Sequence, residues 1–229
     1  MRHGDFPSMW PEPARRVLTG RWCSLEPLDP DLHGDALFEA VSGEQSGGLH
    51  RYLADPIPVS RAEFDAWLIP RASSSDPMFF AVIDGTSGRA EGRQSLMDIV
   101  PQHGTAEIGH ILWGPRIARS RVATEAFFLL ADYVMTELSY RRWQWRCNAN
   151  NAPSRRAAER FGFTFEGIFR NHMIVKGESR DTAWYSITDA EWPAIRARFL
   201  AWLDPANFRA DGSQLSSLQD QEREAAPCI

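Results

Sequence analysis

Residues 114–126 read Gly114-Pro115-Arg116-Ile117-Ala118-Arg119-Ser120-Arg121-Val122-Ala123-Thr124-Glu125-Ala126. Gly-Pro ends the element before it, because proline lacks an amide hydrogen and restrains its neighbour. From Val122 onward Ala126, Leu129, Leu130, Tyr133, Val134 and Leu138 recur at helical spacing, which predicts a helix over about 122–138. Arg116, Arg119 and Arg121 cluster where that helix starts. A helix N-terminus already carries partial positive charge on its unpaired amides. Three cations there are unfavourable unless an anion binds, and amides with arginines make a phosphate site. The plain alternative is that the arginines lie in solvent and pair with Glu107 or Glu125.

Upstream of this loop the chain is strand-like. The run 78–83 (MFFAVI) ends in Asp84-Gly85, a hairpin signal, and strands are expected over 92–100 and 107–113. A first strand over 20–28 leads into Asp29-Pro30, a cap with proline at the first helical position, and then to Leu32, Ala36, Leu37, Ala40 and Val41. A loop punctuated by Gly and Pro follows over 43–58. Ser60-x-x-Glu63 is a capping box whose helix carries Phe64, Trp67 and Leu68. Downstream, 142–147 alternates, with Trp143, Trp145 and Cys147 on one face, read as core packing. Asn151-Ala152-Pro153 opens a helix that ends at Phe161-Gly162. Strands follow over 164–176 and 182–187, then a second capping box, Thr188-x-x-Glu191, before Trp192, Ile195, Phe199, Trp202 and Leu203. This order implies an α/β fold, a mixed sheet with helices on both faces. A crossover between parallel neighbours splays them, and such a gap is a natural ligand site. Residues 1–16 read as an extension, 17–204 as one domain and 205–229 as a partly mobile tail, with mobility expected over the last 15 or so residues.

Composition narrows the classes. The net charge of −5 over 229 residues argues against general nucleic-acid binding. Cysteines at 23, 147 and 228 form no CxxC, so neither a disulfide framework nor a zinc site is indicated, and a reducing cytoplasm fits. The histidines at 3, 33, 50 and 103 lack ligand spacing, so no metal is expected. No apolar run is long enough to cross a membrane, and the first residues lack an apolar signal core. A homodimer is a possible assembly.

Several motifs, in order, carry a resemblance. Ala118-Arg119-Ser120-Arg121-Val122-Ala123 precedes Thr124-Glu125-Ala126. Asn151-x-x-Ser154 precedes Arg160-Phe161-Gly162-Phe163. Phe165-Glu166-Gly167-Ile168-Phe169-Arg170, then Arg180-Asp181 and Trp184-Tyr185-Ser186, close the series. From about residue 16 to 203 the chain resembles the GCN5-related N-acetyltransferases (GNAT), within them the ribosomal-protein N-terminal acetyltransferase-like branch. The resemblance implies a mixed, mostly antiparallel sheet of about seven strands, splayed between the fourth (107–113) and fifth (142–147). It implies acetyl coenzyme A as cosubstrate, with the pyrophosphate wrapped by a loop of pattern Gln/Arg-x-x-Gly-x-Gly/Ala. Here Ala118 replaces Gln/Arg and Arg121 replaces the middle Gly, whose lack of a side chain lets backbone approach phosphate. Arg119, Ser120, Arg121, Val122, Ala123, Thr124 and Asn151 are the cofactor residues so implied, with Leu112 and Trp113 on the strand beside the thioester.

The implied reaction is direct attack of an amine on the thioester, on a small-molecule or peptide acceptor. The amine must arrive neutral or be deprotonated, and the oxyanion needs donors. The resemblance places these donors at Ile111-Leu112-Trp113. Glu107 is costly to bury without a task, so it is the candidate base, through water, with a salt bridge to a loop arginine as the alternative. Period two puts Glu107, Gly109 and Ile111 on one face and Ile108, His110 and Leu112 on the other. His110 is the rival base. Many family members use a Tyr as acid where this chain has Ala158. Ser154 is the remaining hydroxyl, with helix capping as its alternative role. His172 and Asp181 are expected near the substrate mouth, Asp181 pairing with a substrate ammonium or serving as a turn residue. Against the enzyme stands a coenzyme A-binding sensor that has lost catalysis; turnover separates the two. A nucleotide-binding protein of another fold lacks its expected GxGxxG or GxxxxGK[ST].

Overall fold

The computed structural model describes residues 6–42 and 47–220. Eight strands form a single sheet, one more than expected: β1 (Leu18–Thr19), β2 (Cys23–Pro27), β3 (Met78–Asp84), β4 (Ala90–Val100), β5 (Thr105–Trp113), β6 (Arg142–Asn148), β7 (Thr164–Val175) and β8 (Glu178–Thr188). The addition is β1, which lies ahead of the strand expected over 20–28; that strand begins only at Cys23, and the chain turns between the two so that β1 and β2 form a short antiparallel pair. The order across the sheet is β1-β2-β3-β4-β5-β6-β8-β7, and only β5–β6 run parallel.

Helices α1 (Pro30–Val41), α2 (Gly47–His50) and α3 (Arg61–Ala72) precede β3; α4 (Arg121–Asp132), α5 (Ala152–Phe161) and α6 (Trp192–Leu203) follow β5, β6 and β8. Each long helix but the last starts on the polar residue that the sequence offers. Asp29, Ser60, Ser120 and Asn151 each accept from backbone N–H groups of the first turn. The box at Thr188 and Glu191 folds differently. Glu191 accepts from the backbone and hydroxyl of Thr188, and α6 begins only at Trp192. The helix expected over 122–138 ends at Asp132 and continues as a π-turn over Tyr133–Glu137.

Apolar side chains form a cluster on each sheet face. Leu37, Leu68, Phe79 and Leu112 belong to the one under α1 and α3. Phe127, Trp143, Trp145, Tyr185 and Phe199 belong to the larger one under α4, α5 and α6. Trp143 is fully buried, so the aromatic strand is core. The tail is less free than expected up to Asp220: Leu218 is fully buried, and Asn207 donates to Trp202 and Ser216. Residues 221–229 lie outside the described part. The N-terminal segment is also anchored, with Trp10 buried and donating to the Ser139 carbonyl at 2.8 Å.

Candidate active site

The site sits where β5 and β6 part. Their parallel ladder runs from Thr105 opposite Arg142 to Ile108 opposite Trp145 and stops. Beyond it, the β6 side of 109–113 faces a gap. On the other side, two β5 residues, His110 and Ile111, stand opposite Gln94 alone, between the pairs Arg93–Leu112 and Ser95–Gly109. This is a bulge, with His110 at φ 50°. It corrects the period-two reading. The His110 ring lies 5.0 Å from that of Phe79, tilted by 46°, and joins the face of Glu107 and Leu112, while Ile111 packs with Ile108 on the other. An alternation argument cannot see an inserted residue.

Glu107 is buried and pairs with Arg146 of β6, which also pairs with Asp98. The partner is therefore not a loop arginine, as the sequence alternative had it. Burial pushes the Glu107 carboxyl up to about 7, against the pull of Arg146. Burial and the Arg93 charge push His110 down to about 4, so its imidazole is neutral at pH 7.

The arginines that opened the sequence reading separate. Arg116 pairs with Glu91 and Glu39. Arg121 lays its guanidinium 3.8 Å from the centre of the Trp22 ring and 5.4 Å from that of Phe208. Arg119 is exposed, with φ 60°, in the left-handed region that glycine favours. Ser120 caps α4, its hydroxyl accepting from Val122 and Ala123 at 3.1 and 3.4 Å. Thr124 bonds back to the Ser120 carbonyl and accepts from Arg160. Glu125 pairs with no loop arginine; its carboxylate accepts from the backbone N–H groups of Arg21, Trp22 and Cys23 at 2.9, 2.5 and 2.8 Å. Arg121→Ala is accordingly expected to lower stability by about 0.5–2 kcal/mol and leave acetyl coenzyme A affinity within twofold. Chemical denaturation and calorimetry on the variant check both. Arg119→Ala is expected to weaken binding instead.

Asn151 caps α5 by accepting from the Ser154 N–H at 3.2 Å. The Ser154 hydroxyl accepts from Trp145 Nε1 at 3.0 Å and lies beside the Cys147 thiol, which burial pushes up. Trp113 donates to Gln94, and Leu112 is buried. His172 shares a hydrogen bond with the Thr182 hydroxyl at 3.1 Å and stands edge-on to Phe169. Asp181 lies within β8, not in a turn, and its Oδ1 accepts from the Asn171 N–H at 2.7 Å. The structure thus gathers Glu107, His110, Leu112 and Trp113 at the parting strands, while Asn151 and Ser154 start the helix after β6. Among the described residues no cluster of three or more His, Cys, Asp or Glu is placed to hold a metal ion, and no helix is long and apolar enough to cross a membrane.

Some site residues had no sequence signal. Arg93 of β4 is fully buried; it donates to the His110 carbonyl at 2.9 Å and pairs with Asp55 at 3.1 Å. Asp55 also pairs with Arg71, and both guanidiniums lie over the Trp67 ring, Arg93 4.1 Å and Arg71 4.6 Å from its centre. A cavity of about 40 Å³ opens beside them, lined by His50, Asp55, Trp67 and Arg93. The loop carrying Asp55 spans the same face: Lys176 donates to the His50 carbonyl and Tyr52 to that of Asn150. An arginine inside a strand, between Gly92 and Gln94, is the one hint that a buried partner exists.

The chain matches the family model of the acetyltransferase (GNAT) domain over residues 24–164, more than half of its length. The crystal structure of a GCN5-related N-acetyltransferase from Brucella melitensis is 51% identical, with TM-score 0.93, and the match covers 94% of this chain and 98% of that one. A GNAT-family crystal structure from Chromobacterium violaceum is 37% identical, with TM-score 0.78, over 84% of this chain and 96% of that one. The uncharacterized N-acetyltransferase YnaD of Bacillus subtilis is 30% identical over 88 residues, 38% of this chain and 51% of that protein. The chain thus spans about half the length of that curated relative.

Proposed function

Because this chain belongs to the GNAT acetyltransferase family, we propose that it transfers acetyl from acetyl coenzyme A to a primary amine by direct attack on the thioester. The observation that carries this reading is the gap between β5 and β6, with a buried carboxylate poised near neutral pH at its root. The pantetheine arm lies along 109–113, whose β6 side has no strand to pair with. The acyl oxygen takes backbone donors at Ile111-Leu112-Trp113, and Arg119 and the first turn of α4 receive the phosphates. The fit there differs from the glycine pattern. Arg121 is withdrawn onto Trp22, so it opens no clash, and Ser120 shares its cap with whatever anion binds. Glu107 takes the proton of the attacking amine through water. Ser154 is the hydroxyl available to the leaving thiolate. His172 borders the acceptor mouth.

Saturating acetyl coenzyme A, at 100-fold over its dissociation constant, should stabilise the protein by about 2.7 kcal/mol. A thermal shift and a calorimetric titration check this. An absent shift at millimolar ligand removes the cofactor assignment. Release of free thiol with an amine present, and not without it, separates the transferase from a sensor that binds and does not turn over.

A further inference from the structure

Arg180 stands on β8, half-buried, and close enough to Glu107 and Arg146 for their charges to act on it. Among the described residues it has no ion pair within 4.0 Å, and its Nε is closed off from solvent without a hydrogen-bond partner. The carboxylates around it are taken. Asp98 and Glu107 both pair with Arg146, and Asp181 accepts from Asn171. On the same strand the indole N–H of Trp184, buried beneath Arg146 at 4.8 Å, also lacks a partner. A guanidinium stays charged at any working pH, and burial without a partner penalises it. These two nitrogens are sealed, whereas the terminal nitrogens of the half-buried Arg180 are not among the sealed atoms and have no hydrogen-bond or ion-pair partner among the described residues, and these are what a bound anion would satisfy.

We propose that Arg180 is the subsite for a carboxylate carried by the acceptor, so that the substrate is an amino acid or a like amine bearing its own carboxylate. This rests on the acetyl-transfer reading, which puts the amine at Glu107. The guanidinium fork matches a carboxylate, and the distance from Glu107 sets how far amine and carboxylate stand apart in the preferred acceptor. A polyamine is disfavoured, since its second ammonium would meet the unpaired guanidinium.

The test pairs ω-amino acids of increasing length (glycine, β-alanine, 4-aminobutyrate) with the alkylamines that lack the carboxylate. The ratio of kcat/KM for acid over amine is measured in the parent, Arg180→Gln and Arg180→Lys. The expected result is a ratio at least tenfold lower in Arg180→Gln, partly recovered in Arg180→Lys, with alkylamine rates unchanged. An equal loss on acids and alkylamines would place Arg180 at the leaving thiolate and overturn the proposal; so would an unchanged ratio, or preference for spermidine. Binding gives an arm free of chemistry. With coenzyme A present, the best ω-amino acid should raise Tm in the parent and not in Arg180→Gln, and equal shifts overturn the subsite. Acetylation of alkylamines alone keeps the transferase and removes the subsite. Thiol release with no amine of any kind removes the transferase reading itself.

Discussion

Glu107→Gln is expected to lower kcat by 10²–10⁴-fold while acetyl coenzyme A affinity changes little. The carboxylate is buried on β5 at the root of the gap, and the amide that replaces it keeps the shape without the basicity. With the carboxyl pushed up to about 7, kcat/KM of the parent should climb as pH rises from 6 to 8, and the limb should flatten in the variant. Stability moves the other way. The folded carboxyl holds its proton up to about 7, whereas a freely solvated glutamate carboxyl releases it near 4.5. The folded state therefore binds more protons between those values, and stability falls as pH rises through the window. Glu107→Gln should erase that slope. Pre-steady-state acetyl transfer and denaturation across pH 4.5–8 check the two signs. An unaltered rate across pH 6–9 would pass the proton to bulk solvent, since burial and the Arg93 charge push His110 down to about 4 and leave its imidazole a weak base.

Glu125→Ala is expected to cost about 3–5 kcal/mol of stability, a fall in Tm of roughly 10 °C. The Glu125 carboxylate, 4% exposed, accepts from three consecutive N–H groups at the entry to β2. Removing it leaves all three without their acceptor, the Cys23 N–H in a buried setting and the other two part-buried, and bonds to a charged acceptor are each worth about 1.5–3 kcal/mol without adding fully. Gly20→Ala should act on the same contact, because a Cβ there would stand 2.5 Å from the Glu125 carboxyl. Thermal melts of both variants, singly and together, check the assignment. Losses that add in full would mean two separate contacts.

The elements were legible because local chemistry and pattern agreed. Asp29, Ser60 and Asn151 cap the helices they announce, and the alternation of Trp143, Trp145 and Cys147 faces the core as read. The site was legible only in part. Glu107 could be picked out as a carboxylate on a central strand, but its partner Arg146 comes from a strand 39 positions on, paired across the parallel β5–β6 ladder. Arg121 reads as a phosphate ligand because charge can be read along a chain; its contact with the Trp22 ring cannot be read there. The bulge at His110 escaped because one extra residue leaves no mark in composition and still turns every later side chain over. Arg93 was invisible for a related reason, since its partner Asp55 arrives from a loop read as punctuation.

The chain of contacts from Asp55 through Arg93 to the His110 carbonyl bears on how such a protein could be re-engineered. The segment that carries Asp55 looks interchangeable, a surface loop that could be swapped to alter specificity. Its deepest tie to the sheet is at that one residue. A transplanted loop without an acidic group at position 55 would strip the ion pair from a guanidinium sealed inside the protein and loosen the brace on the His110 bulge. Any graft must therefore carry its own aspartate, or replace Arg93 in the same step.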